Sequence, residues 1–394
     1  MSQKSSCPYC GDSPVNHGLA YIGQTLGVFL DPLLSFIAGR HNGLFSRFLK
    51  HFNYFYIFLS TKMGVITFGK NIDNATTGRS KLIWQEAKQR GIEMQQLIIY
   101  GKPLEQYRAK VKLKNSKLKW FYFESLPIPP HLPQDDYNFI DDKVYLKKVL
   151  SRAGIPVPKS ISVSNKKQAI LAYHTLQKPI IVKPRVGSRA RHTTVFINNL
   201  DELLNAVDIA QKLCKYVAIE EYLTGPVSRA TLVGGKLVGF FSGFSPKITG
   251  DGISTIAELI LKKNKNKPDK VDDVIITKEH NEYLSRSGYT VNSVLEKDKT
   301  ISVVSRTGRF FGGETYEHLG DIHPKLKEIL EKTKNAVNVP VVGYDLIIEN
   351  PEINPDNQKW GIIEANSLPF IDLHYFALHG EPVNIAKYIW DLWE

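Results

Sequence analysis

Gly343-Tyr344-Asp345-Leu346-Ile347-Ile348, followed after a short polar insertion by Trp360-Gly361-Ile362-Ile363-Glu364-Ala365-Asn366, is the stretch on which the reading of this chain turns. Both runs have the apolar, β-branched character of strands. Side chains alternate between the faces of a strand, so Glu364 and Asn366, two apart, share a face, while Asp345 sits within the neighbouring run. Asp, Glu and Asn together offer only hard oxygen donors. That set suits magnesium, which takes few protein ligands and leaves its other positions to water and phosphate. Solvated acidic residues at strand ends are the competing explanation, and the choice between them depends on the rest of the chain.

The 394 residues are enough for two or three domains with their own cores, and the apolar share of 42% and charged share of 23% belong to a globular protein. A formal charge of +12 favours anionic partners such as nucleotides, acidic substrates or an anionic membrane, although evenly spread surface lysines give the same total. Nucleic acid is not the expected partner. Three cysteines are too few for a disulfide scaffold and fit a reducing, cytoplasmic setting. Met1 to Gly11 is polar, without the apolar core of a secretory leader. Leu19 to Ala38 is apolar in bulk but is interrupted by Asp31-Pro32 and diluted with Gly and Gln, short of a spanning helix. Arg40, Arg47 and Lys50 precede the aromatic run Phe52 to Phe58, so residues 17–60 could lie against a membrane surface or pack in a core.

Three parts are expected: an N-terminal apolar helical segment over 1–53, a small α/β domain over 54–140, and a larger unit over 141–394. In the second part, Val65 to Phe68, a helix from Gly78 to Arg90 closed by Gly91, and Leu97 to Tyr100 read as a βαβ-like unit. Pro127-Ile128-Pro129-Pro130 marks a boundary. The third part opens with Asp141-Asp142-Lys143 and a helix, continues through strands and helices, and carries a lysine-rich stretch, Lys262 to Lys270, expected to be a solvated loop. This alternation argues for layered α/β and α+β architecture rather than a bundle.

Several segments offer phosphate or nucleotide chemistry. Lys183, at the end of a strand and followed by the Gly187-Ser188 loop, supplies an ammonium and backbone donors. Lys143 is a second candidate for a phosphate, or a solvated lysine. Glu220-Glu221-Tyr222-Leu223 reads as a strand passing into a turn, a hinge able to meet an adenine edge while Leu223 packs on the ring. Gly234-Gly235 between apolar runs is a hairpin signal, which places Arg229 on the strand entering it.

Lys183-Pro184, the Glu220 to Leu223 hinge, Leu232 to Val238, Gly250-Asp251-Gly252 with the residues to Ile260, and the Asp345, Glu364, Asn366 set occur in the order seen in the ATP-grasp superfamily. From Asp141 to Trp393 the chain resembles the ATP-grasp part of cyanophycin synthetase and of the bifunctional glutamate-cysteine ligase/glutathione synthetase. The resemblance implies two α+β subdomains clasping ATP. It implies ligation of a small-molecule carboxylate to an amine or thiol through an acyl phosphate, with release of ADP and phosphate, in a protein that could form homo-oligomers. Lys143, Lys183, Gly187 and Ser188 would then hold phosphates, and Glu220, Glu221 and Leu223 adenine. Asp345, Glu364 and Asn366 would bind Mg2+.

The chain departs from its relatives at Gly187-Ser188-Arg189-Ala190-Arg191-His192, which is bulkier and more basic than their glycine-rich loop. It departs also at Val227, at Ser242-Gly243 where they carry arginines, and at Gly308-Arg309-Phe310-Phe311-Gly312-Gly313. Arg229, Arg306 and Arg309, with Arg189 and Arg191, could supply charge for the transferring phosphoryl group from new positions; a protein that binds nucleotide without turnover is the alternative. His374 and His379 are candidates for substrate contact or for local hydrogen bonding.

Cys7-Pro8-Tyr9-Cys10 resembles a glutaredoxin redox motif, but no strand precedes it. As a zinc site it would have His17 as third ligand and no fourth, so no special role is expected for it.

Overall fold

The computed structural model describes residues 7, 9–10, 15–40, 59–112, 117–133, 140, 142–186 and 191–394, with backbone only for 30–40. Helix α1 (His17–Arg40) continues across Asp31-Pro32, the pair that interrupts its apolar run. Among the described residues no helix is long and apolar enough to cross a membrane.

The first sheet follows, with strands β1 (Ile66–Gly69), β2 (Met94–Ile99), β3 (Lys102–Lys112) and β4 (Leu118–Glu124) in sequence order. Helix α2 (Gly78–Gln89), N-capped by the Thr77 side chain, joins β1 to β2 and buries Leu82, Ile83 and Ala87. The expected βαβ-like unit is not formed: β1 runs antiparallel to β2, with Ile66 opposite Ile99 and Gly69 opposite Gln96. Apolar pattern and helix length do not encode strand direction, so an α/β reading became an all-antiparallel α+β unit.

Helix α3 (Lys143–Arg152) begins at Asp142, whose carboxylate accepts from the Val144 and Tyr145 amides. The second sheet is built from β5 (Ser160–Val163), β6 (Ile180–Pro184), β7 (Thr194–Ile197) and β8 (Val217–Glu221), in the order β5-β8-β6-β7. Helices α4 (Lys166–Thr175) and α5 (Leu200–Gln211) cover it, packing Ala169, Leu203 and Val207 on Ile180, Val182 and Ile219.

The third sheet is built, in spatial order, from β13 (Thr315–Glu317), β10 (Lys236–Gly243), β9 (Val227–Val233), β14 (Val341–Ile347) and β15 (Gly361–Asn366). Strands β9 and β10 form the expected hairpin: Gly234 and Gly235 take φ of 58° and 75°, which a two-residue type I′ turn requires. A small ribbon of β11 (Lys247–Thr249) and β12 (Thr300–Ser302) stands beside it with helices α6 (Ile256–Asn266) and α7 (Lys278–Arg286). Lys262 to Lys270 is therefore not simply a loop. A Thr255/Glu258 capping box and buried Ile256, Leu259 and Ile260 drive a helix through Asn266, and the lysines ride its C-terminal turns, where cations suit the helix dipole.

Strand β13 and helix α8 (Pro324–Lys332) lead into β14 and β15. On one face of the third sheet, Leu232, Val342, Tyr344 and Leu346 pack against Leu146 of α3 and Leu326 of α8. After the short helix α9 (Asp372–Tyr375), helix α10 (Ile385–Asp391) returns to the first sheet, where the Trp390 indole donates to the Ile83 carbonyl at 3.0 Å. The last helix thus closes on the first sheet's unit, and the second and third sheets meet along a seam bridged by α3, whose Lys147 reaches both Glu220 of β8 and the Ile363 carbonyl of β15.

Candidate active site

Three antiparallel strands put charged residues side by side. Arg229 on β9 is opposite Asp345 on β14, and Asp345 is opposite Glu364 on β15, with Asn366 two residues further on. Directly opposed residues share a sheet face, so the four side chains form one row. Tyr344 and Ala365, their neighbours in sequence, are fully buried, whereas Asp345, Glu364 and Asn366 are half-buried. The Arg229 guanidinium takes both oxygens of Asp345, one of them at 2.9 Å, and Asn366 Nδ2 donates to Asp345 Oδ2 at 3.2 Å.

A second group of charges lies across the seam. Glu220 on β8 is 1% exposed and receives Lys147 Nζ at 2.8 Å, Lys183 Nζ at 2.8 Å and the Ser160 hydroxyl at 3.2 Å. Burial alone would raise its pKa, but the two ammoniums outweigh that and hold it at about 2. For Lys147 burial dominates, and despite Glu220 its pKa falls to about 8. Lys143 Nζ meets Glu364 Oε1 at 3.3 Å and so links this group to the row. Glu364 is held below its ordinary value, burial being outweighed by Lys143 and Lys183. Three lysines face two carboxylates, which leaves one positive charge where an anion could be received.

The row opens into a cleft of about 200 Å³, lined among others by Arg229, Asp345, Arg309, Phe310 and Phe376. Arg309 sits in a single helical turn between Gly308 and Gly312, both at positive φ, and lies over the rings of Phe310 and Phe376. Gly313 locks that turn: a Cβ there would fall 1.9 Å from the Phe244 carbonyl oxygen.

Of the sequence-predicted residues, Arg229, Asp345, Glu364, Asn366, Lys143, Lys183 and Arg309 are thus gathered around the seam. Arg306 is not. It pairs with Glu279 of α7 at 2.9 Å, stands over the Phe311 ring and does not line the cleft. The carboxylate of Glu220, expected at adenine, is instead turned onto two lysines. Glu221 accepts from the Gln177 amide at 3.1 Å, and Leu223 is buried beside this hinge. Gly187 and Ser188 lie outside the described residues. His374 is fully buried between Thr231 and Glu317, at 2.8 and 2.5 Å, a core histidine. His379 stacks on Tyr316 at 4.3 Å. Lys147 was missed; its one signal is the i, i+4 spacing from Lys143 on the same face of α3.

Two sheets closing on a seam that holds these lysines, carboxylates and arginines are the arrangement of the ATP-grasp fold, and the chain is similar in sequence to ligases of that kind. It is 28% identical over 255 residues to the glutathione biosynthesis bifunctional protein GshAB of Mannheimia succiniciproducens, covering 61% of this chain and 34% of that protein. It is equally, at 28% over 261 residues, similar to cyanophycin synthetase of Synechocystis sp., covering 64% and 30%. The chain therefore spans about a third of the length of these relatives. The crystal structure of a bifunctional glutathione synthetase from Pasteurella multocida superposes with a TM-score of 0.54 at 22% identity, over 80% of this chain and 44% of that one. No protein-family model matches.

Proposed function

We propose that this protein is an ATP-dependent ligase that joins a carboxylate to an amine or thiol on an amino acid or peptide-like substrate. The observation that carries the reading is the row Arg229, Asp345, Glu364, Asn366 backed across the seam by Lys143, Lys147 and Lys183. The oxygen-only donor set on one half-buried face fits magnesium, and Asp345, Glu364 and Asn366 would hold it. Bound there, Mg2+ would supply neutralisation of the nucleotide's phosphate charge.

The remaining chemistry belongs to side chains. Lys143 and Lys183 bind phosphate oxygens, and Lys147 keeps Glu220 and Lys183 in place from behind. Arg229 orients Asp345, and Arg309 faces the cleft where charge develops as the γ-phosphoryl passes to the substrate carboxylate. The amine or thiol then attacks the acyl phosphate carbon, a C–N or C–S bond forms, and phosphate departs. Incubation of the full chain with ATP, Mg2+ and paired acids and nucleophiles is expected to release ADP, not AMP. Release of AMP, or of no nucleotide product from any pairing, would overturn the reading. Arg229 engaged on Asp345 favours one second reading, a nucleotide-binding protein without turnover. It is read out as thermal stabilisation by ATP with no ADP.

Helix α1 supports a further part of the proposal, cytoplasmic peripheral contact of the stretch 17–60 with an anionic bilayer, because it exposes Leu19, Ile22, Leu26 and Phe29, while 41–58 lie outside the described residues. The full chain is expected to co-sediment with phosphatidylserine vesicles, and a Leu19→Ser/Phe29→Ser double variant to lose most of that binding. Equal sedimentation of the two proteins would remove the role of this helix.

A further inference from the structure

The absence of a fourth ligand argued against a metal at Cys7-x-x-Cys10. The fold provides one 185 residues away: His192 Nε2 lies 3.6 Å from Cys7 Sγ and 3.5 Å from Cys10 Sγ, and His17 Nε2 lies 3.1 Å from Cys10 Sγ. All four ligand atoms fall within 4.8 Å of one another. Tetrahedral zinc with bonds of about 2.3 Å to sulfur and about 2.0 Å to nitrogen separates its ligand atoms by roughly 3.3–3.8 Å, close to what these contacts show. We propose that Cys7, Cys10, His17 and His192 bind a structural zinc ion that ties the N-terminal segment to the connection between β6 and β7.

Second contacts fit the assignment. His192 Nδ1 lies 2.7 Å from the Ile209 carbonyl, so it carries the proton and leaves Nε2 free to coordinate, the arrangement found around zinc-bound histidines. The His192 amide donates to the Tyr9 carbonyl at 3.1 Å, which sets the Cys-x-x-Cys turn against the histidine. Cys10 and His192 are 2% and 1% exposed. Two thiolates and a divalent cation sum to no charge, so the group is tolerated in that burial. Sulfur and imidazole donors select zinc over magnesium or calcium, and four protein ligands close the shell, as in structural rather than catalytic sites. The clip has a clear mechanical place: it adds to the Lys215 amide donating to Thr25 Oγ1 at 3.1 Å, which joins α1 to the second sheet's layer, and to Lys212, which lies 5.8 Å from the Tyr9 ring.

The test is elemental analysis of the full chain, reduced and reconstituted with Zn2+, then exchanged into Co2+. About one zinc per chain is expected, with the intense visible absorption of tetrahedral cobalt and a thiolate charge-transfer band. Chelation is expected to lower the melting temperature by several degrees. His17→Ala and Cys7→Ser should each lose the ion and the band while keeping the far-ultraviolet circular dichroism of the fold, and His379→Ala should keep both. The wild-type measurement decides independently of whether a variant folds. No stoichiometric zinc and no cobalt band, including the case in which Cys7 and Cys10 are recovered as a disulfide, would overturn the proposal.

Discussion

Glu220→Ala is expected to lower the stability of the chain by about 3–5 kcal/mol, the cost of breaking a buried ion pair from one side. Both Lys147 and Lys183 lose their counter-charge, and neither is exposed enough to regain it from water. Denaturant titration checks this. Adding Lys147→Met to Glu220→Ala should cost less than the sum of the two single changes, because one stranded ammonium is then removed. The pH dependence follows from the same group. Glu220 titrates at about 2 in the folded chain against an ordinary 4.5, so its contribution is complete above the ordinary value and is lost as pH falls from there toward 2. Lys147 acts in the opposite range. Its folded pKa of about 8 lies below the ordinary 10.5, so the unfolded chain holds more protons between those values and stability rises with pH across that window. Additive single changes, or an acid limb in Glu220→Ala identical to that of the parent chain, would remove Glu220 from the centre of this group.

How much of this was legible in the sequence depends on the range of each interaction. The Gly234-Gly235 turn, the Asp142 cap and the shared face of Glu364 and Asn366 are local consequences of backbone geometry, and sequence spacing fixes them. The direction of β1 against β2 is not local, since the same pattern serves a parallel or an antiparallel pair. Glu220 and Glu221 are adjacent and chemically alike, yet one is buried among lysines and the other accepts a backbone amide. That difference is decided by which face of β8 is covered by α3. Lys147 looked like any helical lysine because its burial comes from β15, more than two hundred residues away in sequence. His192 is the extreme case: nothing in its neighbourhood identifies it as a partner of Cys7 and Cys10 until β6 and β7 are folded beside the N-terminal segment.

Glu364→Gln is expected to abolish ADP release, by a hundredfold or more in kcat, while leaving the fold intact. The choice of residue follows from the surroundings. Asp345→Asn would disturb the same metal position, but it would also take the charge from a guanidinium whose Nη1 is already buried without a hydrogen bond, so lost activity and lost structure would be mixed. Glu364 is 34% exposed at the side chain, and its partner Lys143 can still donate to the amide oxygen of glutamine. What glutamine removes is one negative charge facing the phosphates, and that charge is what a magnesium ligand must supply. The loss should therefore fall mainly on turnover and on the Mg2+ dependence of ATP binding, with a smaller drop in the denaturation midpoint from the charge lost beside Lys143. Full activity in Glu364→Gln at ordinary Mg2+ concentration would sink the assignment of Glu364 as a ligand and leave it as the counter-ion of Lys143. Rescue by raised Mg2+ would keep the assignment, since a weakened site fills at higher metal concentration whereas a lost counter-ion does not respond to it.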